Sequence, residues 1–333
     1  MEPLVFEPYL RPMVWGGRRL GELLGKPLPP EGNIGESWEV SPHPHHVSRV
    51  AEGPLAGRTL NEVSREFPRE LYGDPPPADP TFPLLVKLLD CRDLLSIQVH
   101  PTDELARTLA NERFGKTEAC VVLHADPGSR VYAGFKPGVT RADVEQHLAA
   151  GTLESGLHSF TPKPGDCIFL PAGTVHAVGG GVVLAEVQQA SDATFRLYDW
   201  NRVGPDGRPR QLHVREALVA IDWSAGPVDP VRPKSEPGAP VGVRSERLVR
   251  CPSFGLDRLT LEADYRPGIA GRPSLWITLS GAAELRTAGG YARTFRPGET
   301  VLVPAAAGDP LWRPTAGTAR LLRVHLQPRP TTP

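Results

Sequence analysis

One phrase occurs twice in the chain, and it limits the fold more than any other feature. Residues 164–171 read PGDCIFLP and residues 297–304 read PGETVLVP: a turn, an acid, an apolar strand and a closing proline. A phrase repeated this far apart points to a duplicated β unit. The apolar runs around it are short and turn-bounded, at 84–90, 94–100, 119–124, 166–171, 182–188, 275–280 and 320–326. With 38 Pro and 34 Gly among 333 residues, long helical bundles are excluded, whereas strands closed by PG and GG pairs suit a sandwich or barrel.

Helical patterns are fewer. One begins at Thr102 or Asp103 with Leu105 and Leu109 on one face, and one runs over 141–150 with Thr140 and Asp143 as a capping box and Gly151 as the stop. A third, 214–221, aligns Val214, Leu218 and Ile221, and a fourth covers 59–72. Residues 224–240, SAGPVDPVRPKSEPGAP, carry prolines at 227, 230, 233, 237 and 240 and almost no apolar periodicity, which reads as a linker. The expected division is 1–223, a metal-binding unit with helical additions; 224–240, the link; and 241–333, a second β unit without a metal site.

With 37 basic and 38 acidic side chains the net charge is −1, so no global field recruits nucleic acid or an acidic membrane surface. No run reaches the roughly 18 apolar residues of a membrane span, and MEPLVFEPYL lacks the layout of a signal peptide, so a cytoplasmic protein is expected. Cys91, Cys120, Cys167 and Cys251 form no CxxC and read as buried apolar residues, not as a disulfide framework or thiolate site.

In LLSIQVH, alternation puts Ser96, Gln98 and His100 on one face and Leu95, Ile97 and Val99 on the other, which fits a solvated surface or a wet barrel interior. Three further segments favour the interior: GKTEA carries Lys116 and Glu118, GTVHA offers His176, and ATFRLYD offers Arg196. Two imidazoles, a carboxylate and an amide oxygen make an N/O site for a divalent metal with positions left open, as catalytic sites require.

The hairpin-like LSGAAELR (279–286) ahead of the second repeat resembles the cupin fold. Counting equally from each repeat's first proline reaches His176 in one copy and Asp309 in the other, so only the first copy is equipped for a metal. The fold class expected is mainly β, two tandem cupin-type (jelly-roll) β-barrels with a few helices packed on the N-terminal half. More specifically, QVHP (98–101), GKTE (115–118), LPAGTVHA (170–177) and EVQQASDATFRLY (186–198), supported by VWGGRRL, IGESWEVSPHP and FPLLVKLLD, resemble type I mannose-6-phosphate isomerase in its short bacterial form. The resemblance implies an enzyme interconverting mannose 6-phosphate and fructose 6-phosphate, with one Zn2+ per chain on Gln98, His100, Glu118 and His176. It implies catalytic roles for Arg196, Lys116 and Asp192, substrate contacts by Lys87 and Lys116, and a place near the phosphate for Ser96. Gly115 departs from longer members, which carry a histidine there.

The chemistry agrees: moving hydrogen between C1 and C2 needs an acidified C–H beside a carbonyl and cationic groups for the enediolate and phosphate. The proton acceptor stays open among Asp192, Glu118 and a water activated by the metal. The implied partner is a small sugar phosphate, and the chain is expected to be a monomer, with a dimer left open. An iron-dependent oxygenase, or a sugar-phosphate sensor without catalysis, would use the same metal grouping; the basic trio Lys87, Lys116 and Arg196 favours the phosphate substrate.

Several groups read more simply. ANERFGKT (110–117) approximates a phosphate loop in the wrong context. His43, His45 and His46 read as an exposed loop, and His124, His147, His158, His213 and His325 as surface or satisfied structural residues. The lysine of LLVKLLD can also be read as reaching solvent at a sheet edge, and Arg196 as a structural ion pair to Asp192 or Glu186.

Overall fold

The computed structural model describes residues 1–204 and 207–327; residues 205–206 and 328–333, the latter closing the expected second unit, lie outside it. Four antiparallel sheets make up the molecule. A six-stranded sheet runs in the order Tyr9–Gly17, Ile34–Val40, Leu84–Cys91, Val182–Gln189, Glu118–Ala125, Cys167–Leu170. It faces a five-stranded sheet ordered Phe195–Tyr198, Ile97–Val99, His176–Val178, Val131–Phe135, Leu157–Phe160. The second half repeats the plan with a six-stranded sheet (Lys234–Ser235, Val243–Arg250, Phe254–Leu261, Ala319–Leu326, Ser274–Ser280, Thr300–Val303) over a three-stranded one (Ala292–Phe295, Ala283–Arg286, Leu311–Pro314). The chain is mainly β with the cupin fold, and each barrel is a pair of facing sheets that do not close.

The two six-stranded sheets stack on each other. Leu84, Val86, Leu88, Val183, Ala185 and Val187 of the first join Phe254, Leu256, Leu275, Ile277, Leu322 and Val324 of the second in one core. The opposite face of the first sheet packs Leu89, Cys91, Cys120, Val122, Val182 and Leu184 against Val131, Ala133 and Val178. Strands buried on both faces lose the polar alternation of a half-exposed sheet, which is why LLVKLLDC and VVLAEVQQ read as nearly continuous apolar runs. In the five-stranded sheet, Ile97, Val99, Ala177 and Leu197 turn outward and are covered by Val144 of helix Arg141–Ala150 and by Ala217 and Leu218 of helix Val214–Ala220.

Helix Arg141–Ala150 has both reciprocal bonds of the Thr140–Asp143 box and a left-handed Gly151 at φ 68°. The 59–72 region forms two helices, Leu60–Glu66 and Pro68–Tyr72, because Pro68 cannot continue the hydrogen-bond ladder of the first. After Thr102 a short α-turn passes into a π-turn over Ala106–Ala110, and Leu109 is left exposed instead of sharing a face with Leu105. Only Ile97–Val99 of the 94–100 run pairs as a strand; the carbonyls of Leu94 and Leu95 are taken by Arg202 Nη1 (2.5 Å) and Trp200 Nε1 (2.7 Å).

The proline-rich stretch is not a free tether: Val228 N donates to Ala133 O (3.0 Å), Val231 N donates to Cys167 O (2.7 Å), and Lys234–Ser235 adds a strand to the second half. The start of the chain crosses the other way, with Leu4 and Leu302 exchanging backbone bonds of 2.8 and 2.9 Å. Cys91, Cys120 and Cys167 are buried, Cys251 is half-buried, and all four thiols are free. No described helix is long and apolar enough to cross a membrane.

The second half buries a carboxylate of its own. Asp257, fully buried, accepts from Arg250 (2.6 Å), Arg323 (2.7 Å) and His325 Nε2 (2.5 Å). Burial pushes its pKa up, but these three donors outweigh that and hold it below the ordinary carboxylate range. A depressed carboxylate contributes stability above its unfolded value of about 3.9 and loses it as pH falls towards its folded value. Asp257→Asn is therefore expected to cost about 3 kcal/mol in urea unfolding at pH 7, and the gap to wild type should narrow below about pH 4. A gap that stays constant down to pH 3 would contradict this.

Candidate active site

The site forms where two cross-strand rows face each other between the sheets of the first half. On the six-stranded sheet, Trp38, Lys87, Glu186 and Cys120 stand directly opposite one another on neighbouring strands. Arg196, Gln98, His176 and Ala133 form the matching row on the five-stranded sheet. Glu36 and Glu118 sit two residues from Trp38 and Cys120 on the same faces, and His100 follows the end of strand Ile97–Val99.

His100, Glu118 and His176 converge with ligand atoms within 4.8 Å of one another, all buried. Each imidazole has one nitrogen committed: His100 Nδ1 donates to Ala193 O (2.9 Å) and His176 Nδ1 donates to Thr174 O (2.9 Å). A carbonyl only accepts, so these bonds fix the tautomer and leave both Nε2 lone pairs facing inward. Glu118 lies between them, Oε1 at 3.2 Å from His176 Nε2 and Oε2 at 3.5 Å from His100 Nε2. Lys116 engages Glu118 Oε2 and His100 Nε2, and the same convergent acceptors can be joined by a further cation. Burial, followed by the Lys116 charge, pushes His100 well below its ordinary pKa, which favours its neutral ring. The donor set therefore fits a divalent metal with N/O preference. Gln98, whose amide lies 3.3 Å from His176 Nε2, presents an oxygen to the same point after a half-turn of the amide.

Lys116 lies within this group, donating to Glu118 Oε2 (2.5 Å) and His100 Nε2 (3.0 Å), with Glu186 Oε1 at 3.7 Å. Burial lowers the pKa of its ammonium, but Glu118 and Glu186 outweigh this and hold it above the ordinary lysine value. Glu118 is drawn well below its usual range by the Lys116 ammonium despite its burial. Glu186 goes the other way: burial, reinforced by Glu118 and Glu36, raises it although Lys116 and Lys87 oppose the shift.

Lys87 is only 3% exposed and occupies an inner strand, so the reading of an edge lysine reaching solvent is overturned. Its ammonium donates to Asp192 Oδ1 (3.1 Å), lies 3.7 Å from Glu36 and 3.9 Å from Glu186, and sits 4.9 Å from the centre of the Trp38 ring. Asp192 also accepts from Arg11 (3.2 Å); despite burial, Lys87 and Arg11 hold its carboxyl below the ordinary range.

Arg196 makes no ion pair with Asp192 or Glu186. Its Nε donates to Ser96 Oγ (3.2 Å) and Nη1 donates to Gln211 O (2.8 Å). Burial and the neighbouring Arg210 lower its pKa, while Asp199 alongside is already claimed by Arg202 and Arg210. Ser96 Oγ in turn reaches Gln98 Oε1 (3.4 Å). Lys87, Lys116, His100, Glu118 and His176 thus form a buried floor, with Arg11, Gln98, Asp192 and Arg196 half-buried above it.

Arg11, Glu36 and Trp38 carry no role in the sequence reading, and Glu186 enters it only as a structural partner for Arg196. Glu186 had a signal, since the lone acid of VVLAEVQQ and the lone lysine of LLVKLLDC are cross-strand partners. The histidine loop also differs from expectation. His43 is buried, bonded to Glu112 (3.0 Å) and edge-on to Trp38, while His45 is exposed with Nδ1 at 3.9 Å from Asp192. Asp309 accepts from Ile269 N (2.9 Å) and ties its turn to the distant loop at 266–269. A side chain at Gly115 would meet the backbone of Thr102 at 2.5 Å, so no histidine fits there without moving that segment.

Comparison with known proteins agrees with this geometry. The model of the family "phosphomannose isomerase type I, catalytic domain" matches residues 5–119. The mannose-6-phosphate isomerase of Streptococcus mutans is 39% identical over 220 residues, 66% of this chain and 68% of that protein. Mannose-6-phosphate isomerase ManA of Bacillus subtilis is 31% identical over 308 residues, 92% and 95% of the two chains. The crystal structure of mannose 6-phosphate isomerase from Bacillus subtilis superposes with TM-score 0.88 at 28% identity, covering 98% of this chain and 100% of that one.

Deleting one lone pair tests the donor set directly. Wild type is expected to hold about one divalent metal per chain by elemental analysis, and His176→Ala to fall at least tenfold in occupancy while its far-ultraviolet circular dichroism is unchanged. Undiminished metal in the variant would remove His176 from the ligand set.

Proposed function

The chain belongs to the type I mannose-6-phosphate isomerases, and from this we propose that it interconverts mannose 6-phosphate and fructose 6-phosphate with one zinc ion held by Gln98, His100, Glu118 and His176. One observation carries the reading: inward acceptors matched to a divalent cation lie beside the ammonium of Lys116 and, through Gln98 and Ser96, the guanidinium of Arg196. Phosphate and enediolate are both anionic, and buried cations stabilise them far better than solvated ones do.

A bound zinc ion supplies Lewis acidity towards the substrate oxygens without redox chemistry. The chain's own residues do the rest. Lys116 Nζ, kept protonated by Glu118 and Glu186, presents a hydrogen-bond donor to the oxygen on which charge develops. Arg196, whose guanidinium pairs with no carboxylate among the described residues, binds substrate anion with Ser96 beside it. Asp192, kept ionised by Lys87 and Arg11, is available across neutral pH to accept a proton at a carboxylate oxygen. Lys87 neutralises Asp192 and adds positive potential below the substrate.

Every residue in this scheme lies in 1–223, which we take as the catalytic unit. Residues 241–333 support it by covering the outer face of its six-stranded sheet, with 224–240 as the connection. One chain supplies the whole site, which suits a monomer, and four free thiols suit the cytoplasm.

A coupled assay on mannose 6-phosphate, with glucose 6-phosphate as control and with or without a chelator, tests the function. Turnover of mannose 6-phosphate that chelation abolishes and zinc restores is the expected result; binding without turnover, or oxygen consumption with iron, would refute it. Arg196→Ala should keep metal and fold while kcat falls about 10²-fold or more. Full activity in that variant would take Arg196 out of the mechanism.

A further inference from the structure

Arg11 belongs to the edge strand Tyr9–Gly17 and lies opposite Glu36. Its Nη1 donates to Glu36 Oε2 (3.0 Å) and to Asp192 Oδ2 (3.2 Å), and the guanidinium sits 4.8 Å from the centre of the Trp38 ring. Trp38 Nε1 donates to the same Glu36 oxygen (2.7 Å), while Lys87 takes Asp192 Oδ1 and approaches the Trp38 ring at 4.9 Å. The contacts close a loop: Trp38, Glu36, Arg11, Asp192, Lys87 and back to Trp38.

Within this loop two carboxylates, Glu36 and Asp192, lie within reach of a single ammonium on Lys87. One lysine cannot neutralise both, and left alone the two acids would repel and compete for it. Arg11 bridges them from the opposite side, engages Oδ2 of Asp192 and leaves Oδ1 to Lys87. Asp192 is also followed directly by Ala193, whose carbonyl fixes the His100 tautomer. The Arg11 side chain is 27% exposed, so it sits at the rim of the site and not in the packed core.

We infer that Arg11 is a positioning residue for the isomerisation, holding Asp192 and Lys87 in register through the Glu36–Trp38 platform. The inference rests on the proposed function, in that Lys87 and Asp192 face the substrate. The test compares Arg11→Ala, Arg11→Lys, Asp192→Asn and the double variant Arg11→Ala/Asp192→Asn, each loaded with zinc. Arg11→Ala should lose about tenfold or more in kcat/KM with metal content and melting temperature near wild type, and Arg11→Lys should recover part of the loss. Free guanidinium ion, added well below denaturing concentrations, should restore Arg11→Ala several-fold and leave wild type unchanged.

In the Asp192→Asn background the Arg11→Ala change should cost less than about threefold, because its target is gone. Arg11→Ala activity within about twofold of wild type overturns the inference. So does an equal loss in both backgrounds without guanidinium rescue, which marks a purely structural residue. Should Arg11→Ala fail to fold, Arg11→Lys decides the matter by the same cycle. A wild-type chain without isomerase activity defeats the functional reading first, whereas an active wild type with an indifferent Arg11 defeats only this inference.

Discussion

A sheet buried on both faces leaves a charged side chain no route to water, and the first six-stranded sheet is such a sheet. Lys87 and Glu186 stand opposite each other on its two central strands, the lone lysine and the lone glutamate of largely apolar sequences. Burying either alone would cost several kcal/mol, so the charges are viable only as a network. That requirement gathers Glu36, Asp192, Lys116 and Glu118 around the pair and concentrates the polar chemistry at one end of the sandwich. The outer layers matter for the same reason: by covering the far face of the sheet, the second half removes the solvent that would otherwise screen these charges.

The second half contains the same row with different occupants. Arg247, Asp257, Arg323 and Trp276 follow one another across its six-stranded sheet as Trp38, Lys87, Glu186 and Cys120 do in the first. The signs at the two central positions are exchanged, Asp257 for Lys87 and Arg323 for Glu186. The buried ion pair therefore persists as a structural device with its polarity reversed. What does not persist is the ligand chemistry. Ser274 stands where the first half has Glu118, and its hydroxyl accepts from Trp276 Nε1 (2.8 Å), whose ring occupies the place of the small Cys120. A bulky ring and a hydroxyl cannot replace a carboxylate flanked by two imidazoles.

Much of this was legible in the sequence. The repeated phrase at 164 and 297 marks equivalent turns and strands, Cys167–Leu170 and Thr300–Val303, and the Thr140–Asp143 box marks a helix start because capping is local. Gln98 and His100 belong to a segment whose alternation already sorted the polar face, and Glu118 and His176 were offered by two neighbouring motifs. Arg11, Glu36 and Trp38 were not legible, because their importance depends on register between strands far apart in the chain. The His43–His46 loop misled for a related reason. Proline and histidine look exposed by composition, yet His43 is buried by a bond to Glu112, supplied from another segment. The stacking of the two six-stranded sheets was equally hidden, since an apolar strand does not declare how many of its faces are covered.

The charges of the site are unevenly distributed, and its two ends differ in sign. Arg11, Lys87 and Lys116 face Glu36, Glu118, Glu186 and Asp192, a group with more carboxylates than cations even before the two imidazole lone pairs are considered. That end suits a divalent cation. Across Gln98 and Ser96 the balance reverses among the described residues: Arg196 lies beside Arg202 and Arg210, which both pair with Asp199. That end suits an anion carrying up to two negative charges, as a phosphate ester does. Gln98, uncharged, stands between them and contacts His176 on one side and Ser96 on the other. A neutral amide at this boundary avoids attaching a further full charge to either end, so the two ends keep opposite local balances.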